Sequence, residues 1–246
     1  MMANTLTNAF FHRLSGKIAR SVQLGSGSRS GLTSRGERVD IVYTVKSVGP
    51  WPSLWRRMDM YEQAHYSRYV FASYSARSSD ACADLACGTG YGSALLSEVC
   101  QSVLGVDRNR VVAEAAKQRY EHRTNLRFIS EDLLSLQLDP VFDLIVSFET
   151  IEHFAEPDIE KLLAMYSTAL KPSGTLIFSC PYRQPAAKAA KAGFHLTTEI
   201  DEDRVLRWLD GAGLAAKGTY YQSYNEPLVQ RKLANPDFLV CIAQHV

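Results

Sequence analysis

Ala83-Asp84-Leu85-Ala86-Cys87-Gly88-Thr89-Gly90-Tyr91-Gly92 decides the reading of this chain. An apolar, strand-like segment carrying an acid breaks into alternating glycines, and helix-forming residues (Ser93-Ala94-Leu95-Leu96-Ser97-Glu98) follow at once. Glycines at the carboxyl end of a parallel strand turn the backbone tightly and admit a ligand where a Cβ would clash. A dinucleotide fingerprint needs G-x-G-x-x-G, but the third glycine here comes one residue early and Ser93 stands in the expected place. That departure disfavours a nicotinamide or flavin oxidoreductase.

Working outward, Val103-Leu104-Gly105-Val106 ends in Asp107, an acid at a strand tip that can accept hydrogen bonds from both hydroxyls of a ribose. Leu126-Arg127-Phe128-Ile129 leads to Glu131-Asp132-Leu133, and Phe142-Asp143-Leu144-Ile145-Val146-Ser147 ends in Phe148-Glu149. Hydrophobic periodicity predicts strands over 81–86, 102–106, 125–130, 142–148, 174–180, 214–221 and 237–244. Helices are predicted over 58–76, 91–99, 108–120, 157–170 and 200–212. Alternating strands and helices make an α/β fold with a mostly parallel, doubly wound sheet and helices on both faces.

These segments, in this order, resemble the motifs of the class I S-adenosylmethionine-dependent methyltransferases over roughly residues 60–246. The resemblance implies a Rossmann-like seven-stranded sheet whose C-terminal strand, Phe238-Leu239-Val240-Cys241-Ile242, is the antiparallel insertion. It implies S-adenosyl-L-methionine as cofactor, held by Asp84, Ala86, Gly88 and Gly90 in the turn and by Asp107 and Arg108 after the second strand. Asp132 would take the adenine amino group, with Leu133 and Phe148 as apolar neighbours. Ala86 replaces the first glycine of the family. Leu170-Lys171-Pro172-Ser173-Gly174 looks like the family's turn into strand five, and residues 58–76 like a lid helix over the cofactor cleft. Most of the aromatics of that helix (Tyr61, Tyr66, Tyr69, Phe71, Tyr74) read as core contacts.

Transfer from a sulfonium needs little covalent help: donor and acceptor must be held in line and one proton removed. Ligands in open α/β sheets bind outside the carboxyl edge, which points to Glu149-Thr150-Ile151-Glu152-His153. A helical turn there would place Glu149, Glu152 and His153 on one face. His195 follows in a substrate-side insertion over 181–199. Three readings stay open. Glu149 and Glu152 are cleft carboxylates and His153 is a general base. Alternatively, Glu149, Glu152, His153 and His195 ligate a divalent cation (Mg²⁺, Mn²⁺, Fe²⁺ or Zn²⁺), a set resembling those of small-RNA 2′-O-methyltransferases and ubiquinone-pathway O-methyltransferases. In the third, the segment only packs the following helix.

Gly36-Glu37-Arg38, His65-x-x-Arg68-Tyr69 and Phe194-His195 with Glu199 resemble bacterial methyltransferases of glycan and natural-product clusters; His65 and Arg68 read equally well as a solvated helix face. The expected acceptor is a hydroxyl of a small molecule or sugar. N- or C-methylation, or a cofactor-binding scaffold without turnover, are the alternatives.

The chain has 246 residues, 46% of them apolar, enough for one α/β domain with an appendage. A net charge of +1 offers no field for a nucleic-acid partner. The five cysteines sit in apolar contexts without metal-ligand spacing, as reduced core thiols of a cytoplasmic protein would. No stretch has membrane-spanning length. Residues 1–57 read as a basic N-terminal leader, loosely packed or partly disordered, in which Phe10, Leu14 and Ile18 could line a short amphipathic helix, with an organelle transit peptide the other reading. Residues 58–246 read as the methyltransferase-like domain. The oligomeric state is open, a homodimer being one option.

Overall fold

The computed structural model describes residues 58–246, and every element below lies among them. The chain divides into two units, Met1–Glu62 and Gln63–Val246. The readings made for residues 1–57, including the leader, its amphipathic segment and Gly36-Glu37-Arg38, lie outside the described residues.

Helix α1 (Met60–Ser73) opens with a reciprocal cap. The Asp59 side chain accepts from the Glu62 amide at 2.8 Å while the Glu62 carboxylate accepts from the Asp59 amide at 2.9 Å, satisfying two donors that the helix start leaves unpaired. The strands are β1 (Ala81–Leu85), β2 (Ser102–Asp107), β3 (Leu126–Ser130), β4 (Phe142–Phe148), β5 (Leu170–Pro181), β6 (Leu214–Gln222) and β7 (Phe238–His245). They pair in the order β3-β2-β1-β4-β5-β7-β6. β7 is antiparallel to both β5 and β6, so six strands run one way and the C-terminal strand runs against them, as the resemblance implied.

The connecting helices are α2 (Tyr91–Leu96), α3 (Arg110–Arg119), α4 (Glu156–Ala169), α5 (Ala186–Ala192) and α6 (Glu202–Gly211). Asn109 caps α3 by accepting from the amides of Val111 and Val112, and Asp201 caps α6 by accepting from Arg204. On α4 and α6 the apolar residues recur at helical spacing: Ile159, Leu162, Leu163 and Tyr166 on one, Val205, Trp208 and Leu209 on the other. They join Leu85, Ile145, Leu176, Phe178 and Leu239 in one core. Each fully buried aliphatic side chain there is worth about 1.5–3 kcal/mol.

Several predicted boundaries change. The 58–76 helix ends at Ser73, whose hydroxyl donates to the Val70 carbonyl at 2.7 Å. The 91–99 helix stops at Leu96, because Glu98 and Val99 donate to carbonyls three residues back and tighten the chain into a turn. Strand five begins at Leu170 instead of 174: Phe142 pairs with Leu170, and a register shift absorbs the intervening residues before Leu144 meets Thr175. Helix α5 was not anticipated.

Strand order reverses between β1 and β4, opening a crevice at the carboxyl ends of those strands. The glycine turn follows β1 and the Glu149–His153 segment follows β4. Topology therefore brings both to the same edge.

Candidate active site

The turn after β1 alternates left-handed residues: Ala86 has φ 64°, Gly88 φ 54° and Gly90 φ 77°. An alanine at the first of these carries a steric strain a glycine would not. The glycines have different reasons to be glycine. A Cβ on Gly88 would meet nothing within 4 Å, whereas one on Gly90 would sit 2.5 Å from the Phe128 ring and one on Gly92 2.0 Å from the Tyr69 ring. Gly88 thus leaves its face open, while Gly90 and Gly92 are small because aromatic rings of this chain pack there. The early third glycine belongs to the seat of α1.

Asp107, at the tip of β2, is oriented by that turn: one oxygen accepts from the Gly88 amide at 2.8 Å and the other from Asn109 at 2.9 Å. A carboxylate has lone pairs to spare for ribose hydroxyls. Arg108 is exposed beside it. Asp132 is exposed at the end of β3 and accepts from the Leu134 amide at 2.9 Å. Leu133 is buried in the core, and Phe148 is buried at the end of β4 with its ring edge-on to Tyr69 at 4.9 Å. The hydroxyl of Thr89 is buried in the turn and has no hydrogen-bond partner among the described residues. A polar atom left so, next to an open glycine face, fits a site that receives a polar ligand.

Asp84 stands beneath this turn and is fully buried. It accepts from the Ser93 hydroxyl at 2.5 Å and from the Tyr69 hydroxyl at 3.1 Å. Its role in the structure is to tie α1 to the glycine turn. Burial pushes its carboxyl up to about 7, against the pull of those two hydroxyls. Because the folded value is raised, the stabilisation is complete below the ordinary value near 3.8 and is lost as pH rises through about 7. Melting temperature without added cofactor should therefore fall between about pH 4 and about pH 7, and Asp84→Asn should flatten that slope. An identical slope in the variant would show that Asp84 does not titrate with unfolding.

Around the same cluster, His65 Nδ1 meets the Tyr91 hydroxyl, and burial pushes the imidazole down to about 3, so it stays neutral. Arg68 is not on a solvated face: it is 2% exposed. Its guanidinium lies over the Phe238 ring at 4.4 Å, donates to the Ser179 hydroxyl at 2.9 Å and forms an ion pair with Glu149.

Beyond β4 the chain turns through a short 3₁₀ helix (Ile151–His153). Glu149, at φ 53°, aims its carboxylate at Arg68 and at the Ser179 hydroxyl, which donates to it at 2.7 Å. The following residues go elsewhere. Glu152, His153 and His195 place potential ligand atoms within 4.8 Å of one another. Of the four side chains singled out in the sequence, the structure gathers these and sets Glu149 apart. Glu152 is buried, and one of its oxygens finds no partner among the described residues. Burial, with the nearby Glu149 charge, holds its carboxyl well above the usual range. The Leu196 and Thr197 amides donate to the Glu152 carbonyl at 2.8 and 3.1 Å, which pins the insertion against the turn.

The imidazoles are aimed by their second nitrogens. His153 Nδ1 donates to the Phe194 carbonyl at 3.1 Å, and His195 Nδ1 to the Gln184 side-chain oxygen at 2.6 Å. Each Nε2 then keeps its lone pair, on rings whose centroids lie 5.2 Å apart. Burial, with His153 beside it, lowers the His195 value and favours this neutral form. An orphaned buried carboxyl oxygen beside two imidazole lone pairs fits a divalent cation.

Residues 82–174 match the family profile described as a methyltransferase domain. The matches support a class I S-adenosylmethionine-dependent methyltransferase. It is 29% identical over 137 residues to a Mycolicibacterium smegmatis protein named as a probable S-adenosylmethionine-dependent methyltransferase, covering 54% of this chain and 51% of that one. It is 26% identical over 170 residues to the ubiquinone biosynthesis O-methyltransferase of Pseudomonas fluorescens, covering 63% of this chain and 72% of that one. The fold matches an S-adenosylmethionine-dependent methyltransferase of Mesorhizobium loti with TM-score 0.61 and 18% identity, covering 74% of this chain and all of the other. The chain spans about half the length of its mycobacterial-type relative. No helix among the described residues is long and apolar enough to cross a membrane. The cysteines are all buried with free thiols.

Sequence reasoning missed Gln184 and the engagement of Glu149 by Arg68. A lone glutamine in an insertion carries no spacing signal. An arginine 81 positions away from its carboxylate partner shows none either.

Proposed function

We propose that this methyltransferase domain binds S-adenosyl-L-methionine in the crevice between the glycine turn and Asp107, and transfers its methyl group to a hydroxyl of a small molecule or sugar. The observation that carries the O-transfer reading is the convergence of Glu152, His153 and His195 beyond β4, beside the strand that bears the glycine turn. Gly88 would let the cofactor approach the backbone, Asp107 would hold its ribose, and Asp132 would accept from its adenine amino group. Glu152, His153 and His195 would hold a divalent cation. Such an ion, when bound, lowers the pKa of a coordinated hydroxyl. The chain's own part is then to orient: the Phe194 carbonyl and Gln184 fix which imidazole nitrogen faces the acceptor. Phe194 and Leu196, both strongly exposed, flank His195 in sequence and offer apolar surface to the acceptor's framework.

Asp107→Ala tests the cofactor half of this reading. A hydrogen bond to a charged acceptor is worth about 1.5–3 kcal/mol, so calorimetry with S-adenosylmethionine should show at least about a tenfold loss of affinity. Undiminished binding by a folded variant would place the ribose elsewhere.

A further inference from the structure

We propose that the Glu152–His153–His195 cluster selects a borderline transition ion such as Zn²⁺, Fe²⁺ or Co²⁺ over Mg²⁺, because Arg68 withholds Glu149 from it. The proposal rests on the cation reading above and adds which ion the donors suit and which carboxylate is not among them. Arg68 is buried, fixed by Phe238, by the Ser179 hydroxyl and by the Ala64 carbonyl at 3.3 Å from its Nε. Turning Glu149 toward the cluster would leave that guanidinium buried without its counter-charge, an unfavourable exchange in a low-dielectric interior. Ser179 holds the same Glu149 oxygen from the other side, and its hydroxyl also accepts from the Glu149 amide at 3.2 Å.

What remains is one carboxylate and two imidazoles. Mg²⁺ seeks near-octahedral oxygen donors, and keeps its waters more readily than it takes nitrogen. Imidazole suits Zn²⁺, Fe²⁺, Co²⁺ and their neighbours, and a set of two histidines with one carboxylate leaves coordination positions for another oxygen ligand. Gln184 becomes a positioning residue: by accepting from His195 Nδ1 it presents Nε2, the arrangement that metal-bound histidines ordinarily have.

The test uses the full chain stripped with chelator and titrated with Co²⁺, followed by its visible absorption bands. The expected result is one Co²⁺ bound per chain, displaced by Zn²⁺ and not by Mg²⁺ at about hundredfold excess. Glu149→Gln should change Co²⁺ affinity by less than about threefold. Glu152→Gln and His195→Ala should each lose at least about a hundredfold, and Gln184→Met about 10–100-fold with altered band positions. Displacement by Mg²⁺, or a Glu149→Gln loss equal to that of Glu152→Gln, would overturn the selection while leaving a cation site in place. The wild-type competition needs no variant to fold. Binding of none of these ions by the folded chain would overturn the cation reading and this inference together, and S-adenosylmethionine calorimetry would still report separately on the cofactor half.

Discussion

Gly92→Ala should destabilise the domain by about 3 kcal/mol or more, although no ligand is proposed to touch that residue. The added Cβ would lie 2.0 Å from the Tyr69 ring, a distance that must open by more than an ångström. Tyr69 has nowhere to go. It is 2% exposed and packs edge-on against Tyr91 at 5.4 Å and Phe148 at 4.9 Å, with its hydroxyl on Asp84. Overpacking a tight core costs about 1–3 kcal/mol, and breaking the bond to a buried carboxyl adds about 1–3 kcal/mol. For a domain of this size each kcal/mol moves the melting temperature by about 2–4 °C, so scanning calorimetry should find a fall of about 6 °C or more. Gly88→Ala makes the contrast: its Cβ meets open space, and only the strain of a left-handed alanine, about 1–2 kcal/mol, is expected. A Gly92→Ala protein melting within about 2 °C of wild type would show that α1 is not locked to the turn through Tyr69.

The second large effect concerns the acceptor side. On a hydroxyl substrate that the wild type methylates, chelation should abolish transfer and a divalent cation should restore it. His153→Ala, His195→Ala and Glu152→Gln should each lose at least about a hundredfold in kcat, the lower range for removing a group that acts on the proton in flight. Mass-spectrometric counting of methyl groups on the product gives the rate without assuming which oxygen is modified. Transfer that survives chelation but fails in His153→Ala would return His153 to the role of general base. Full activity of both His153→Ala and His195→Ala would leave catalysis to proximity and orientation alone.

The local code sufficed for much of this. Alternation of apolar strands with amphipathic segments, and a tight turn built on the glycines at 88 and 90, are properties of short stretches of chain. So is an acid at the end of the second strand. These determined the doubly wound sheet, the order of its motifs and the sheet edge at which the glycine turn lies, because right-handed crossovers leave little choice once strands and helices alternate. The motif Glu149-x-x-Glu152-His153 was also legible, and so was its likeness to a ligand set.

Which of those residues act together was not legible. Glu149 and Glu152 are chemically identical in the sequence and three positions apart, yet one is drawn to a buried arginine from α1 while the other faces two imidazoles. The glycines of the turn were equally ambiguous. Only the packing of Phe128 and Tyr69 separates those kept small for the protein from the one that leaves an open face. Strand and turn preferences act over a few residues, so the sequence exposes them. Charge pairing, ring packing and the tautomer of a histidine depend on atoms brought together from distant positions, and the folded chain alone decides them.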